Sequence, residues 1–167
     1  MTLNPAFDFS VDRENKTIRV KRSFEAELAL VWEAYTRSEL LDQWWAPRPW
    51  RAKTKFMDFR EGGYWLYAMQ GPEGEEHWAR ADFSQIQFQK KYSASDSFTD
   101  AEGTLNKELP QADWVVSFMP GDQSTGVDIL ITYADLAQLD AIIKMGFKEG
   151  LAMAMDNLDE LLPTLKK

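Results

Sequence analysis

Hydrophobic and polar positions alternate with a period of two along most of the chain, which is typical of β-strands with one buried face. The first clear alternation covers residues 17–24, where Ile18, Val20 and Phe24 share one face and mostly polar residues occupy the other. Six further segments of this kind lie between Arg51 and Tyr133, and turns rich in Gly, Pro and Asp separate them. The pattern therefore predicts an antiparallel sheet.

Helical spacing replaces this alternation in two places. Residues 28–35 carry apolar side chains at i, i+3, i+4 and i+7, which predicts a short helix. Thr36 and Glu39 match a capping box, in which the first side chain accepts from the third helical N–H, and they predict the start of a second short helix. A long helix is predicted from about Asp135 to Leu162, and its apolar stripe consists of Leu151, Met155, Leu158, Leu162 and Leu165.

Two glycines, Gly146 and Gly150, lie four residues apart within this predicted long helix. Glycine in a helix interior costs about 1 kcal/mol relative to alanine. Each glycine therefore requires a packing reason or a cavity beside it.

The order of these elements predicts an α+β fold. We expect a curved antiparallel sheet of six to seven strands wrapped around the long C-terminal helix, with two short helices after the first strand. No linker or repeat divides the chain, so residues 1–167 are predicted to form a single domain. Phe7, Phe9 and Val11 alternate within residues 1–15, which we interpret as an N-terminal extension or an extra strand.

Composition and charge narrow the possible functions. The chain has 27 acidic and 19 basic residues, a net charge of −8, which disfavours nucleic acid as a partner. The sequence contains no run of 18 apolar residues, so no membrane-spanning helix is predicted. Residues 1–10 do not match a signal peptide. With no cysteine and no export signal, we expect a cytoplasmic protein. A single histidine and no cysteine leave only carboxylates as metal ligands, and no EF-hand spacing is present, so no metal site is predicted. No motif indicates a cofactor.

Several polar residues fall in phase with apolar neighbours on faces that otherwise read as interior: Arg22, Tyr67, His77 and Asp96. One interpretation is a structural network in which each buried charge is paired, or a register shifted by one residue that places these groups in solvent. The other is a small set of polar groups inside an apolar cavity, which is the usual composition of a small-ligand pocket. If a cavity is present, Asp96 is expected to be desolvated and paired, with Arg22 as the first candidate partner.

Three segments occur in an order that resembles a known family: Trp44–Pro47, Met57–Trp65 and Met145–Gly150. Together they resemble the SRPBCC superfamily, also called START-like or helix-grip. Within it they are similar to the branch related to the C-terminal domain of the activator of heat-shock-protein-90 ATPase. The resemblance implies one START-like domain over residues 1–167. It also implies a pocket between the sheet and the final helix, because helix-grip relatives commonly enclose one.

We therefore predict binding of a small, largely apolar ligand in that pocket, without a catalytic residue assigned. The residues expected to line it are Arg22, Trp44, Trp65, Tyr67, His77, Asp96, Phe98, Trp114, Phe147 and Leu151. One alternative is a protein-interaction module similar to the co-chaperone domain. Another is an enzyme acting on an aromatic or polyketide-like substrate, with His77 and Asp96 as acid and base. An exposed apolar patch over a filled interior would favour the interaction module, whereas a cavity would favour the ligand-binding or enzymatic alternative.

Overall fold

The computed structural model describes residues 7–165 of the 167-residue chain. Its strands are β1 (Asp8–Asp12), β2 (Thr17–Phe24), β3 (Arg51–Met57), β4 (Tyr64–Gln70), β5 (Glu76–Gln87), β6 (Lys91–Thr99), β7 (Ala112–Pro120) and β8 (Thr125–Tyr133). Its helices are α1 (Leu28–Thr36), α2 (Ser38–Trp44), α3 (Leu136–Lys144) and α4 (Phe147–Leu165). The strands form one open antiparallel sheet in the order β1-β2-β8-β7-β6-β5-β4-β3.

The predicted α+β fold is confirmed, with one more strand than expected. The additional strand is β1, which lies at the edge of the sheet and pairs with β2, so that Phe9 is opposite Val20 and Val11 is opposite Ile18. Residues 1–15 therefore contain the extra strand rather than only an extension, although residues 1–6 lie outside the described part of the chain. The two short helices follow β2, the strand that the sequence pattern identified first.

The hydrophobic core lies between the concave face of the sheet and the helices. Alternating side chains of β2, β7 and β8 are buried on this face, including Ile18, Ile129 and Ile131, which are fully buried. β-Bulges between Thr54 and Phe56 and between Phe83 and Gln85 interrupt the ladders of β3 and β5. Because a bulge bends and twists its strand, these interruptions help the sheet to curve around the helices.

The long C-terminal helix is broken into α3 and α4, contrary to the prediction of one continuous helix. Gly146 lies at the break with φ +87°, in the left-handed region that glycine adopts without steric cost. Gly146 therefore ends one helix rather than weakening the interior of another. Below the break, four residues of the predicted stripe are buried in the core that includes the inward side chains of the sheet: Leu151, Met155, Leu158 and Leu162. The fifth, Leu165, is only partly buried. On the same helix, Asn157 donates its side-chain amide to the Ala46 carbonyl at 3.1 Å, which ties α4 to the end of α2.

The predicted capping box at the start of α2 does not form. The Thr36 hydroxyl instead donates to the Trp32 carbonyl within α1, at 2.8 Å. Arg37 is the residue that precedes the first turn of α2, and Glu39 lies within that turn. A threonine side chain that bonds to the carbonyl four residues earlier is not available to cap the next helix.

Candidate functional site

A cavity of about 260 Å³ lies between the concave face of the sheet and the helices α3 and α4. Strands β4 to β8 form its floor, and Trp45 and Pro47, which follow α2, form one side. Met145, Gly146 and Phe147 border it at the break between α3 and α4. This break between α3 and α4, which the sequence pattern did not predict, therefore shapes one wall of the cavity.

Stacked and edge-to-face aromatic rings build most of the wall. The Trp45 indole donates to the Tyr67 hydroxyl at 2.9 Å, and the Tyr67 ring stacks on Trp65 with 3.9 Å between centroids. Trp114 continues this wall, with its ring centroid 6.1 Å from Trp45 and 6.0 Å from Phe147. Stacked and edge-to-face pairs of this kind stabilise one another beyond the apolar area that they bury.

Asp96 brings a carboxyl group to the cavity from the middle of β6, where it pairs with Ala81 of β5. The side chain is half-buried, and within residues 7–165 nothing donates a hydrogen bond to it or forms an ion pair with it. Burial, together with the negative charges of Asp82 and Asp113, raises the pKa of Asp96 to about 8. At neutral pH the carboxyl is therefore mostly protonated, and it can donate a hydrogen bond or release its proton to a suitable ligand.

Two tyrosine hydroxyls accompany this carboxyl group. Burial and the charge of Asp96 raise the pKa of both Tyr67 and Tyr133 well above the ordinary value of a phenol. Both phenols are therefore neutral throughout the physiological range and remain hydrogen-bond donors as well as acceptors. An apolar space with a few polar groups is the usual composition of a small-molecule site.

His77 lines the margin of the cavity rather than its depth. Its side chain is exposed, and the ring stacks on Trp50 with 5.3 Å between centroids. Asp96 is opposite Ala81, four residues further along β5, which corresponds to about 13 Å of strand. The two groups face the same space, as periodicity predicted, but they do not form a hydrogen-bonded pair.

The other predicted site residues divide into two groups. Those that line the cavity, in addition to His77 and Asp96, are Tyr67, Phe98, Trp114, Phe147 and Leu151. Those that do not line it are Arg22, Trp44 and Trp65. Trp44 is buried among the helices and donates to the Ala34 carbonyl at 2.9 Å. Trp65 lies behind Tyr67 and donates to the Thr54 hydroxyl, also at 2.9 Å.

The expected pairing of Arg22 with Asp96 is wrong. Arg22 is buried on β2, and its guanidinium lies 3.1 Å from Asp156 and 3.5 Å from Asp159, both on α4. β8 and β7 lie between β2 and β6 in the sheet. The backbones of β2 and β6 are therefore three strand spacings, or about 14 Å, apart. Periodicity shows that two side chains share a face of the sheet, but it does not show how far apart their strands lie.

Two important cavity residues were not predicted. Trp45 follows the predicted Trp44, and only the turn of the chain after α2 decides which indole faces the cavity. Tyr133 lines the cavity from β8, but nothing in its spacing along the strand distinguishes a cavity residue from a core residue. The signal available for Tyr133 was its position in phase with Ile129 and Ile131.

Neither a metal centre nor a membrane-spanning helix is found in the part of the chain that the structure describes. Residues 7–165 contain no cluster of three or more His, Cys, Asp or Glu side chains arranged to bind a metal ion. None of the helices formed by these residues has the length and apolarity needed to cross a membrane.

Solved structures with the same fold include proteins from several bacteria. A protein from Arthrobacter aurescens is 26% identical with a TM-score of 0.89, and the match covers 94% of this chain and 91% of that one. The protein Ms6760 from Mycobacterium smegmatis is 28% identical with a TM-score of 0.87, over 95% of this chain and 97% of that one. The AHSA1 protein from Silicibacter pomeroyi is 14% identical with a TM-score of 0.72, over 90% and 99% of the two chains, and shows the fold alone.

No curated protein matches the chain. The model of the family described as "Activator of Hsp90 ATPase homolog 1-like protein" matches residues 25–163. This match includes the three segments that carried the resemblance, together with the strands that form the cavity floor. The chain therefore belongs to the family of Activator of Hsp90 ATPase homolog 1-like proteins.

Proposed function

We propose that this protein binds a small, largely apolar ligand in the cavity between the sheet and the helices α3 and α4. The observation that carries the proposal is the cavity itself, about 260 Å³ of partly open space lined mainly by apolar side chains. Concave apolar sites with a few polar groups are where proteins commonly bind small molecules. A ligand that fills this space would remove its apolar lining from water.

The size and lining of the cavity define the kind of ligand. An engineered apolar cavity of about 150 Å³ is large enough to bind benzene. By that comparison, a cavity of 260 Å³ accommodates a two-ring molecule with a short substituent. Aromatic walls suit a flat apolar body, while Tyr67, Asp96 and Tyr133 offer polar contacts that orient it.

Native mass spectrometry of the gently purified protein tests this proposal, with indole added as a neutral two-ring probe. We expect a copurified small molecule or saturable indole binding, and we expect Ala79→Leu to reduce it at least tenfold, since Ala79 lines the cavity and a larger side chain fills it. Ala137→Leu, an exposed position on α3, is the matched control and should bind like the wild type. Absence of any bound molecule, or equal indole binding by both variants, would refute the proposal.

A protein-interaction role is the second candidate, and the family description supports it because it names an ATPase activator. Phe88, in the turn between β5 and β6, is 74% exposed while its ring packs edge-on against Trp32 at 5.8 Å. Stimulation of an Hsp90-type ATPase by the wild type, and its loss in Phe88→Ala, would support this role. Absence of stimulation would count against the protein-interaction role.

The cytoplasmic location stays a prediction from the sequence.

A further inference from the structure

Among residues 7–165, the permanently charged side chains around the cavity are negative. The lining that these residues form includes the Asp96 carboxyl group but no lysine or arginine. Asp82 and Asp113 lie on the neighbouring strands with their side chains on the opposite face of the sheet, each beside Ser95, the residue before Asp96. Asp82 is paired with Arg80, whereas Asp113 accepts a hydrogen bond from the Ser95 hydroxyl at 2.7 Å. An anionic ligand would therefore meet repulsion without a compensating cation.

The aromatic walls also favour a positively charged ligand. Trp45, Tyr67, Trp114 and Phe147 present aromatic rings to the space that Asp96 faces. The face of an aromatic ring carries partial negative charge and attracts ammonium groups, more strongly when water is excluded. A positively charged group beside Asp96 would thus interact favourably with both the carboxylate and the rings.

A bound cation would also stabilise the Asp96 carboxylate, which is unpaired within residues 7–165 of the free protein. A half-buried carboxylate without a hydrogen-bond donor or a positive partner is destabilised relative to water. We propose that the cavity selects ligands that carry a protonated amine on an aromatic or otherwise apolar body, with Asp96 as the counter-ion. This inference rests on the proposed ligand-binding function and specifies the chemistry of its ligand.

The proposal has a defined pH dependence. Binding of an ammonium group requires the ionised carboxylate, so affinity should rise with pH as Asp96 loses its proton, while an aliphatic amine stays charged up to about pH 10. The titratable groups that face Asp96 are Tyr67 on β4, His77 at the margin on β5, Tyr133 on β8, and Tyr92 on its own strand. Burial keeps the three phenols neutral across this range, since it raises the pKa of each.

Three probes with the same indole ring separate the possibilities: tryptamine, tryptophol and indole-3-acetate, which are cationic, neutral and anionic. We would measure their dissociation constants by isothermal titration calorimetry at pH 6 and pH 8.5. The expected result is that tryptamine binds at least tenfold more tightly than tryptophol at pH 8.5 and that indole-3-acetate binds most weakly. The affinity for tryptamine should fall at least tenfold at pH 6, while the affinity for tryptophol stays constant.

Asp96→Asn tests the role of the carboxylate because the amide preserves the shape of the side chain. Its affinity for tryptamine should fall at least tenfold, whereas its affinity for tryptophol should change less than about threefold. Asp122→Asn, in the exposed turn between β7 and β8, is the matched control and should bind all three probes like the wild type.

The outcomes distinguish this inference from the function on which it rests. Equal affinity for tryptophol and tryptamine, or tryptamine binding that survives Asp96→Asn, would overturn the amine preference and leave ligand binding intact. Preference for indole-3-acetate would do the same. Failure of all three probes and of indole to bind would overturn both proposals.

Discussion

Replacing Asp96 by asparagine tests the electrostatics of the cavity without a ligand. In the unfolded chain the carboxyl group ionises near pH 3.9, but in the folded protein burial and the charges of Asp82 and Asp113 raise its pKa to about 8. Between these values the folded state holds a proton that the unfolded state has lost. The free energy of unfolding of the wild type therefore contains a contribution that is present in full below pH 4 and is lost as pH rises toward 8.

The pKa difference sets an upper limit on this contribution. Each pH unit between the two pKa values changes the stability by at most about 1.4 kcal/mol, so the whole interval corresponds to about 5–6 kcal/mol. Part of the Asp96 side chain faces the cavity, where water and small movements stabilise its charge. Only the three pH units between pH 5 and pH 8 lie within the range of the assay, and they correspond to at most about 4 kcal/mol. We therefore expect a measured effect of about 2–3 kcal/mol between pH 5 and pH 9.

Urea unfolding of wild type and Asp96→Asn at pH 5, 7 and 9 measures this effect, with tryptophan fluorescence as the signal. Asparagine does not ionise, so the variant should gain about 2–3 kcal/mol relative to the wild type between pH 5 and pH 9. Asp122→Asn, which is exposed, controls for the general loss of one negative charge and should show no such gain. A stability difference between Asp96→Asn and wild type that is the same at all three pH values would refute the reasoning. A carboxyl pKa below 5 by carbon-13 NMR would refute it directly.

Two further predictions concern the packing of α4. Leu158→Ala should destabilise the protein by about 2–5 kcal/mol, because it removes fully buried methyl groups and leaves a void. Met153→Ala on the exposed side of the helix should cost much less, and equal urea midpoints for the two variants would contradict the assigned face. A double-mutant cycle between Arg22 and Asp156 should give a coupling of roughly 0.5–1 kcal/mol, since the aspartate is largely exposed. The same cycle between Arg22 and Asp96 should give a value near zero, and a larger one would mean that the two residues interact.

Alternation along single strands is a local property, and for that reason the sequence predicted it well. Side chains point to opposite faces of a strand in turn, so Ile18 and Val20 identify the buried face of β2 without reference to any other strand. The same argument placed His77 and Asp96 toward the helices. It also placed Arg22 on a buried face, where it needed a partner.

The sequence by itself therefore determined the fold class, the buried faces of the strands and the apolar stripe of α4. Only the tertiary structure decided which inward-facing groups are neighbours. Arg22 and Asp96 share a face, but two intervening strands separate them, and Arg22 reaches Asp156 on α4 instead. The choice of Trp45 over its neighbour also depends on how the chain turns after α2 and packs against the sheet. The physical reason is that periodicity reports the direction of each side chain, whereas a cavity depends on the distances between elements that are remote along the chain.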